Sequence, residues 1–101
     1  MPVPTFVVDH NQATSVLTVS GDVDEVSTPL LRDAIEEASA GFTRSIAVDL
    51  SAVTYLPSVV IGVLAKAQQE FSGSSAMELI AADGTIAQRV LTVCAFPFRR
   101  S

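Results

Sequence analysis

The sequence predicts a small single α/β domain, with a mixed, mostly parallel sheet and helices packed as crossovers, in the order ββαβαβα. Two observations support this prediction. Short runs rich in β-branched residues alternate with longer segments whose apolar residues recur at helical spacing. The 101 residues fit one domain spanning residues 1–101, and the 49% of hydrophobic residues suffices for one continuous core.

The chain is expected to begin with an antiparallel hairpin. Residues 5–9 and 15–20 are short runs rich in β-branched side chains, which favour strands. Residues 10–14 between them are mostly polar and suit a turn. The two strands are therefore expected to pair with each other.

The first helix is expected to follow Thr28 and Pro29. Threonine at an N-cap accepts a hydrogen bond from a free amide, and proline is tolerated at the first helical position. Four apolar residues then recur at spacings of three and four and form one stripe, namely Leu31, Ala34, Ile35 and Ala38. This stripe should pack against the sheet.

The second half of the chain repeats the pattern of a strand followed by a helix. Residues 45–50 and 77–81 are near-continuous apolar runs, typical of strands buried on both faces of a parallel sheet. A helix with Ser58 as its N-cap is expected between them, over residues 58–71. A third helix should open at residues 83–85.

Charge and composition argue against several classes of function. Six basic and eleven acidic residues give a net charge of −5, whereas nucleic-acid binding depends on Lys and Arg to neutralise phosphates. No apolar run approaches the roughly 18 residues of a membrane-spanning helix, which argues against direct membrane insertion. The sequence starts without a signal-peptide pattern, and its single cysteine cannot form an internal disulfide. A cytoplasmic location is therefore expected.

No combination of residues predicts catalysis, a cofactor or a metal site. His10 lies in the predicted turn without another His or Cys nearby, whereas a metal site needs three or four ligands. Cys94 is expected on the apolar face of the third helix, as a buried structural thiol. A redox or small-ligand sensor using Cys94 remains an alternative to this interpretation. After the helix, Phe98 is expected to begin a last edge strand.

Several motifs together resemble the STAS family, whose best-known members are anti-sigma factor antagonists. Residues 21–24 (GDVD) are similar to the family's loop after the second strand, and residues 46–50 (IAVDL) to its central strand. Residues 87–91 (AQRVL) resemble its third helix. Residues 53–56 and 62–64 flank the position of its D-S-S-G-L phosphorylation loop. The resemblance runs from about residue 7 to residue 94, and it implies a STAS-like fold.

The phosphorylation loop itself departs from the family pattern. Residues 57–61 read PSVVI, so Val59 stands where the family's kinase modifies a serine. Phosphorylation would add roughly −1.5 to −2 charges at the start of a helix, and valine has no hydroxyl to accept it. Ser58 is the hydroxyl that remains as an alternative acceptor, although serine at a helix start is more often a cap.

The resemblance implies a non-enzymatic interaction module that binds a kinase-like anti-sigma factor and so regulates sigma-factor availability in a bacterial cell. Acidic residues would supply charge complementarity and valines an apolar centre, as in other interfaces. Besides the exposed face of the second helix, the expected contact residues are Asp22, Asp24, Pro57, Ser58, Val59 and Val60.

Two further expectations concern assembly. An apolar flank near Phe96 and Phe98 makes a homodimer a candidate arrangement. The alternative function is a STAS scaffold subunit of a membrane-lipid transport or other multi-protein complex, which would need no phosphoserine.

Overall fold

The computed structural model describes residues 6–71 and 73–100, which form one four-stranded sheet with three helices. The strands are β1 (Phe6–Asn11), β2 (Val16–Asp22), β3 (Ile46–Tyr55) and β4 (Met77–Ile80). The helices are α1 (Thr28–Ala38), α2 (Ser58–Glu70) and α3 (Ile86–Val93). The predicted α/β class and the order ββαβαβα are confirmed.

The sheet is mixed, with the strand order β1-β2-β3-β4. β1 runs antiparallel to β2, whereas β2, β3 and β4 are parallel neighbours joined through α1 and α2. His10 lies in β1 opposite Leu17, so its predicted placement in the turn is wrong. The turn starts later because the Asn11 side chain organises it, accepting the backbone N–H groups of Ala13 at 3.0 Å and Thr14 at 3.3 Å.

The core lies between the sheet and its helices. Alternate residues of β2 and β3 point to the same side, as strand geometry requires. On both α1 and α2, residues four positions apart lie on the side of the helix that faces the core. The side chains that meet there are at most 2% exposed, and they include Leu17, Val19, Leu31, Ile35, Val48, Leu50, Val60 and Leu64.

β3 extends five residues beyond the predicted strand and ends at Tyr55. Its pairing with β2 shifts register twice, each time because β3 contributes one extra residue. Such bulges bend and twist a strand. Asp49 lies inside β3, and its Oδ1 accepts the Ser51 N–H at 2.9 Å. The long strand carries Tyr55 past the end of β4, close to the start of α2.

Cys94 is exposed just after α3, so the prediction of a buried thiol on this helix is wrong. The buried residues of α3 are Ala87 and Leu91, which lie four positions apart and define the face that packs against the domain. Cys94 follows the last helical residue and falls outside this face. Thr85 is the N-cap of α3, and its hydroxyl oxygen accepts the Gln88 N–H at 3.1 Å.

The segment after α3 runs beside the outer edge of β4. Arg99 forms a one-residue parallel bridge there, where the structure has no full strand of the kind predicted to begin at Phe98. The Arg99 N–H donates to the Leu79 carbonyl at 2.7 Å, and the Ala81 N–H donates to the Arg99 carbonyl at 2.8 Å. The Arg99 guanidinium also pairs with Glu78 at 2.6 Å.

Candidate partner-binding surface

Two segments of the chain meet beside the carboxyl ends of β2 and β3, and a shallow groove lies between them. The segment entering α1 contributes three residues to the groove, and the segment entering α2 contributes the other three. The lining residues, which we call the acidic-apolar surface, are Asp24, Glu25, Val26, Tyr55, Pro57 and Val59. Three of the predicted contact residues, Asp24, Pro57 and Val59, are thus brought together.

Three of the residues that line the groove are exposed apolar or aromatic residues. Val26 is 79% exposed, Val59 is 63% exposed and Tyr55 is 53% exposed. Single exposed apolar residues are common on protein surfaces, but contiguous ones mark sites of interaction. These three line one groove and therefore offer a partner a continuous apolar contact.

Val60 differs from the prediction, because its side chain is fully buried and cannot contact a partner directly. Successive helical residues point in different directions, and Val60 shares the core-facing side of α2 with Leu64, four positions later. Its neighbour Val59 points outwards. Val60 therefore anchors the start of α2 beneath the surface.

Asp24 caps the turn of residues 24–27 that leads into α1. Its Oδ1 accepts the backbone N–H groups of Val26 at 3.1 Å and Ser27 at 2.9 Å. In return the Asp24 N–H donates to the Ser27 hydroxyl oxygen at 2.8 Å, so the two residues form a reciprocal capping box. The Asp24 carbonyl accepts the Thr28 N–H at 2.9 Å. The residue before α1 is Ser27, so the predicted cap, Thr28, is instead the first helical residue.

The charge of Asp24 is stabilised by this arrangement. Hydrogen bonds from the Ser27 backbone and hydroxyl lower the pKa of the Asp24 carboxyl below its ordinary value. The carboxylate also lies where the positive end of the helix dipole favours a negative charge. Asp24 is therefore ionised at neutral pH, and its negative charge stabilises the start of α1.

Asp22 binds a different element. It is the last residue of β2, and its Oδ1 accepts a hydrogen bond from the Thr54 hydroxyl on β3. Val23, which follows, is fully buried. The two carboxylates are thus used separately, Asp22 to join two strands and Asp24 to cap the turn before α1.

The start of α2 has no side-chain cap. Pro57 is the residue before the helix, and its carbonyl accepts the Val60 N–H at 3.0 Å. Ser58 is the first helical residue, and no cap hydrogen bond from a side chain is formed there, so the predicted capping role of Ser58 is wrong. Ser58 lines a second, mostly apolar groove with Leu56, Arg89, Val90, Val93 and Cys94. The predicted contact residue Ser58 therefore faces a different groove from Val59.

Glu25, Val26 and Tyr55 line the acidic-apolar surface, but sequence reasoning did not select them as contacts. One local signal was present, since Val26 is an apolar residue between the polar Glu25 and Ser27. The sequence around Tyr55 holds no such signal, because the exposure of Tyr55 depends on how far β3 extends. Within residues 6–71 and 73–100, no three His, Cys, Asp or Glu side chains are grouped as a metal site would require. No helix in those same ranges has the length and apolar character to cross a membrane.

Comparisons with known proteins agree with this fold. A family model described as "Mlab, STAS domain" matches residues 6–90. The anti-sigma-F factor antagonist RsfB of Mycobacterium tuberculosis is 36% identical over 83 residues, which are 82% of this chain and 66% of RsfB. The chain therefore spans just under two thirds of the length of that relative.

Solved structures give the same result. The crystal structure of an anti-sigma factor antagonist from Mycobacterium paratuberculosis has a TM-score of 0.74 and 27% identity, covering 96% of this chain and 86% of the other. Unphosphorylated SpoIIAA, also an anti-sigma factor antagonist, has a TM-score of 0.66 over 90% of this chain and 81% of its own. At 15% identity, this match is evidence for the fold alone. The family-model match over residues 6–90 establishes that the chain belongs to the STAS domain family.

Proposed function

We propose that this protein is an anti-sigma factor antagonist, which binds an anti-sigma factor through the acidic-apolar surface and so makes a sigma factor available for transcription in a bacterial cytoplasm. The observation that carries the proposal is the groove in which Val26, Tyr55 and Val59 lie exposed beside acidic side chains. An apolar centre with a polar rim is the usual composition of a protein interface. The named relatives, RsfB among them, are antagonists of this kind.

Val59 gives the proposed interaction a particular form of control. By the family resemblance it occupies the position of the phosphoserine, so a kinase-like anti-sigma factor cannot switch the contact off there. Ser58 is the alternative acceptor, and its exposed hydroxyl lies in the second groove. After incubation with the anti-sigma factor and ATP, intact-mass measurement should find the protein unmodified. Phosphate on Ser58 would assign the switch to that residue.

The proposal needs no chemical reaction and no cofactor, since binding alone releases the sigma factor. A homodimer stays a prediction. Phe96 and Phe98, which suggested it, are half-buried and pack against the core, so they leave less apolar area for a second copy than the sequence implied.

Calorimetry with a purified anti-sigma factor tests the proposal, and the anti-sigma-F factor of Mycobacterium tuberculosis is a suitable probe because the relative RsfB antagonises it. We expect saturable binding. Val59→Asp should weaken it at least about tenfold, because a charge would be buried without a partner at the apolar centre of the interface.

Val93→Asp is the matched control, since Val93 is 80% exposed and lines the second groove. It should bind like the unsubstituted protein. A folded protein that does not bind the probe, or equal losses for both variants, would contradict the proposed surface.

The second candidate function is a scaffold subunit of a membrane-lipid transport complex. One observation favours it, namely that the matching family model is described as "Mlab, STAS domain". A scaffold contact would also need no hydroxyl at position 59. Affinity capture from lysate followed by mass spectrometry separates the two functions: transporter subunits support the scaffold, and a kinase-like anti-sigma factor supports the antagonist.

A further inference from the structure

We infer that Glu25 provides the charge that a partner recognises at the acidic-apolar surface, whereas Asp22 and Asp24 serve the fold. The partner that fits is a protein surface with a basic side chain beside an apolar patch. This inference rests on the proposed function, because it assigns the residue that makes the same contact selective.

Both neighbouring carboxylates already accept hydrogen bonds within the domain. Asp24 accepts two backbone N–H groups at the start of α1 and lies 2.9 Å from the Ser27 hydroxyl. Asp22 accepts the Thr54 hydroxyl. The Oδ1 atom of each carboxylate is thus used within the domain, and a partner at either residue would share a charge that already stabilises a contact of the fold.

Glu25 is placed differently. Its side chain is exposed and lines the groove with Val26 and Tyr55. The ion pairs within residues 6–71 and 73–100 join Arg32, Arg99 and Arg100 to other carboxylates, and Glu25 takes part in none of them. Its carboxylate can therefore meet a basic group without breaking a contact in this chain.

The location of Glu25 also determines how its charge would act. Charges at the rim of an interface mainly accelerate association and select among partners, and salt screens their effect. The apolar contacts of Val26, Tyr55 and Val59 would then hold the complex together, since desolvated contacts govern dissociation more than rim charges do. Glu25 would therefore favour association with a basic partner, and the three apolar residues would slow the dissociation of the complex.

The experiment measures association and dissociation rates with the anti-sigma-F factor of Mycobacterium tuberculosis, at low and at physiological salt. Glu25→Gln should slow association roughly three- to tenfold at low salt, with a smaller difference at higher salt and little change in dissociation. Its melting temperature should equal that of the unsubstituted protein.

Two variants that remove the same charge elsewhere complete the comparison. Asp24→Asn retains a good capping side chain, and its association should slow less than that of Glu25→Gln. Glu37→Gln removes an exposed carboxylate from α1 outside the groove and should bind equally well.

Equal losses for Glu25→Gln and Asp24→Asn, or association indifferent to Glu25, would overturn the inference and leave the proposed function standing. Failure of the unsubstituted protein to bind the probe would overturn both.

Discussion

The two helix starts that border the acidic-apolar surface are built in opposite ways. The start of α1 is fixed by polar groups, with the Asp24 carboxylate and the Ser27 hydroxyl exchanging hydrogen bonds with the backbone. The start of α2 has no side-chain cap and is held by the burial of Val60 after Pro57. Each start nevertheless presents one exposed valine, Val26 or Val59, to the groove.

This contrast shows that a single surface can be positioned by two kinds of force. Hydrogen bonds to a carboxylate depend on its ionisation, whereas burial of an apolar side chain does not. The α1 side should therefore respond to pH and the α2 side to changes in side-chain volume.

The largest expected effect is on the α2 side. Val60→Ala should lower the free energy of unfolding by about 2 kcal/mol, because it removes buried methyl groups and leaves a cavity. Chemical denaturation measures this loss. Val59→Ala is the matched control next to it and should change stability by less than about 0.5 kcal/mol. Similar losses at both positions would mean that α2 is rotated relative to the described structure.

A smaller effect should distinguish a true cap from an apparent one. Thr85→Ala should cost about 1 kcal/mol, since its hydroxyl accepts an amide of α3, whereas Ser58→Ala should cost almost nothing. Thermal unfolding of the two variants in the same buffer makes the comparison. A loss at Ser58 as large as that at Thr85 would show that α2 has a cap after all.

The smallest expected effect is the pH response of the α1 side. Because the folded pKa of Asp24 is lowered, its charge stabilises the fold fully above the unfolded pKa, near 3.8, and this contribution is lost as the pH falls through the folded value. Asp24→Asn keeps the cap without the charge. The difference in melting temperature between the two proteins should be constant near neutrality and shrink below about pH 4. A difference that persists in strong acid would assign the stabilisation to something other than this carboxylate.

Local patterns determined the order and type of the elements, and that part of the fold was predictable. The apolar stripe of α1 and the runs of β3 and β4 depend on neighbours in sequence, so periodicity identified them. The helix starts were not predictable in this way. Thr28 and Ser58 are residues that favour a cap, but the position of a cap depends on which side chain reaches the amides in three dimensions.

The candidate surface was also predictable only in part, because side-chain exposure depends on the three-dimensional structure. The family resemblance brought Asp24, Pro57 and Val59 into one surface, which the structure reproduces. Val60 was misassigned because one helical step separates a buried valine from an exposed one. Tyr55 was missed because its exposure depends on the length of β3 and on the two register shifts in its pairing with β2.

The one-residue bridge at Arg99 also affects the tendency of this protein to aggregate. An uncovered strand edge offers free N–H and C=O groups to another chain and invites aggregation. Arg99 occupies such groups at Leu79 and Ala81, and the ion pairs of Arg99 with Glu78 and Arg100 with Asp83 hold the segment beside β4. Exposed ion pairs contribute little to folding free energy. These two arginines should therefore matter more for solubility at high concentration than for thermal stability.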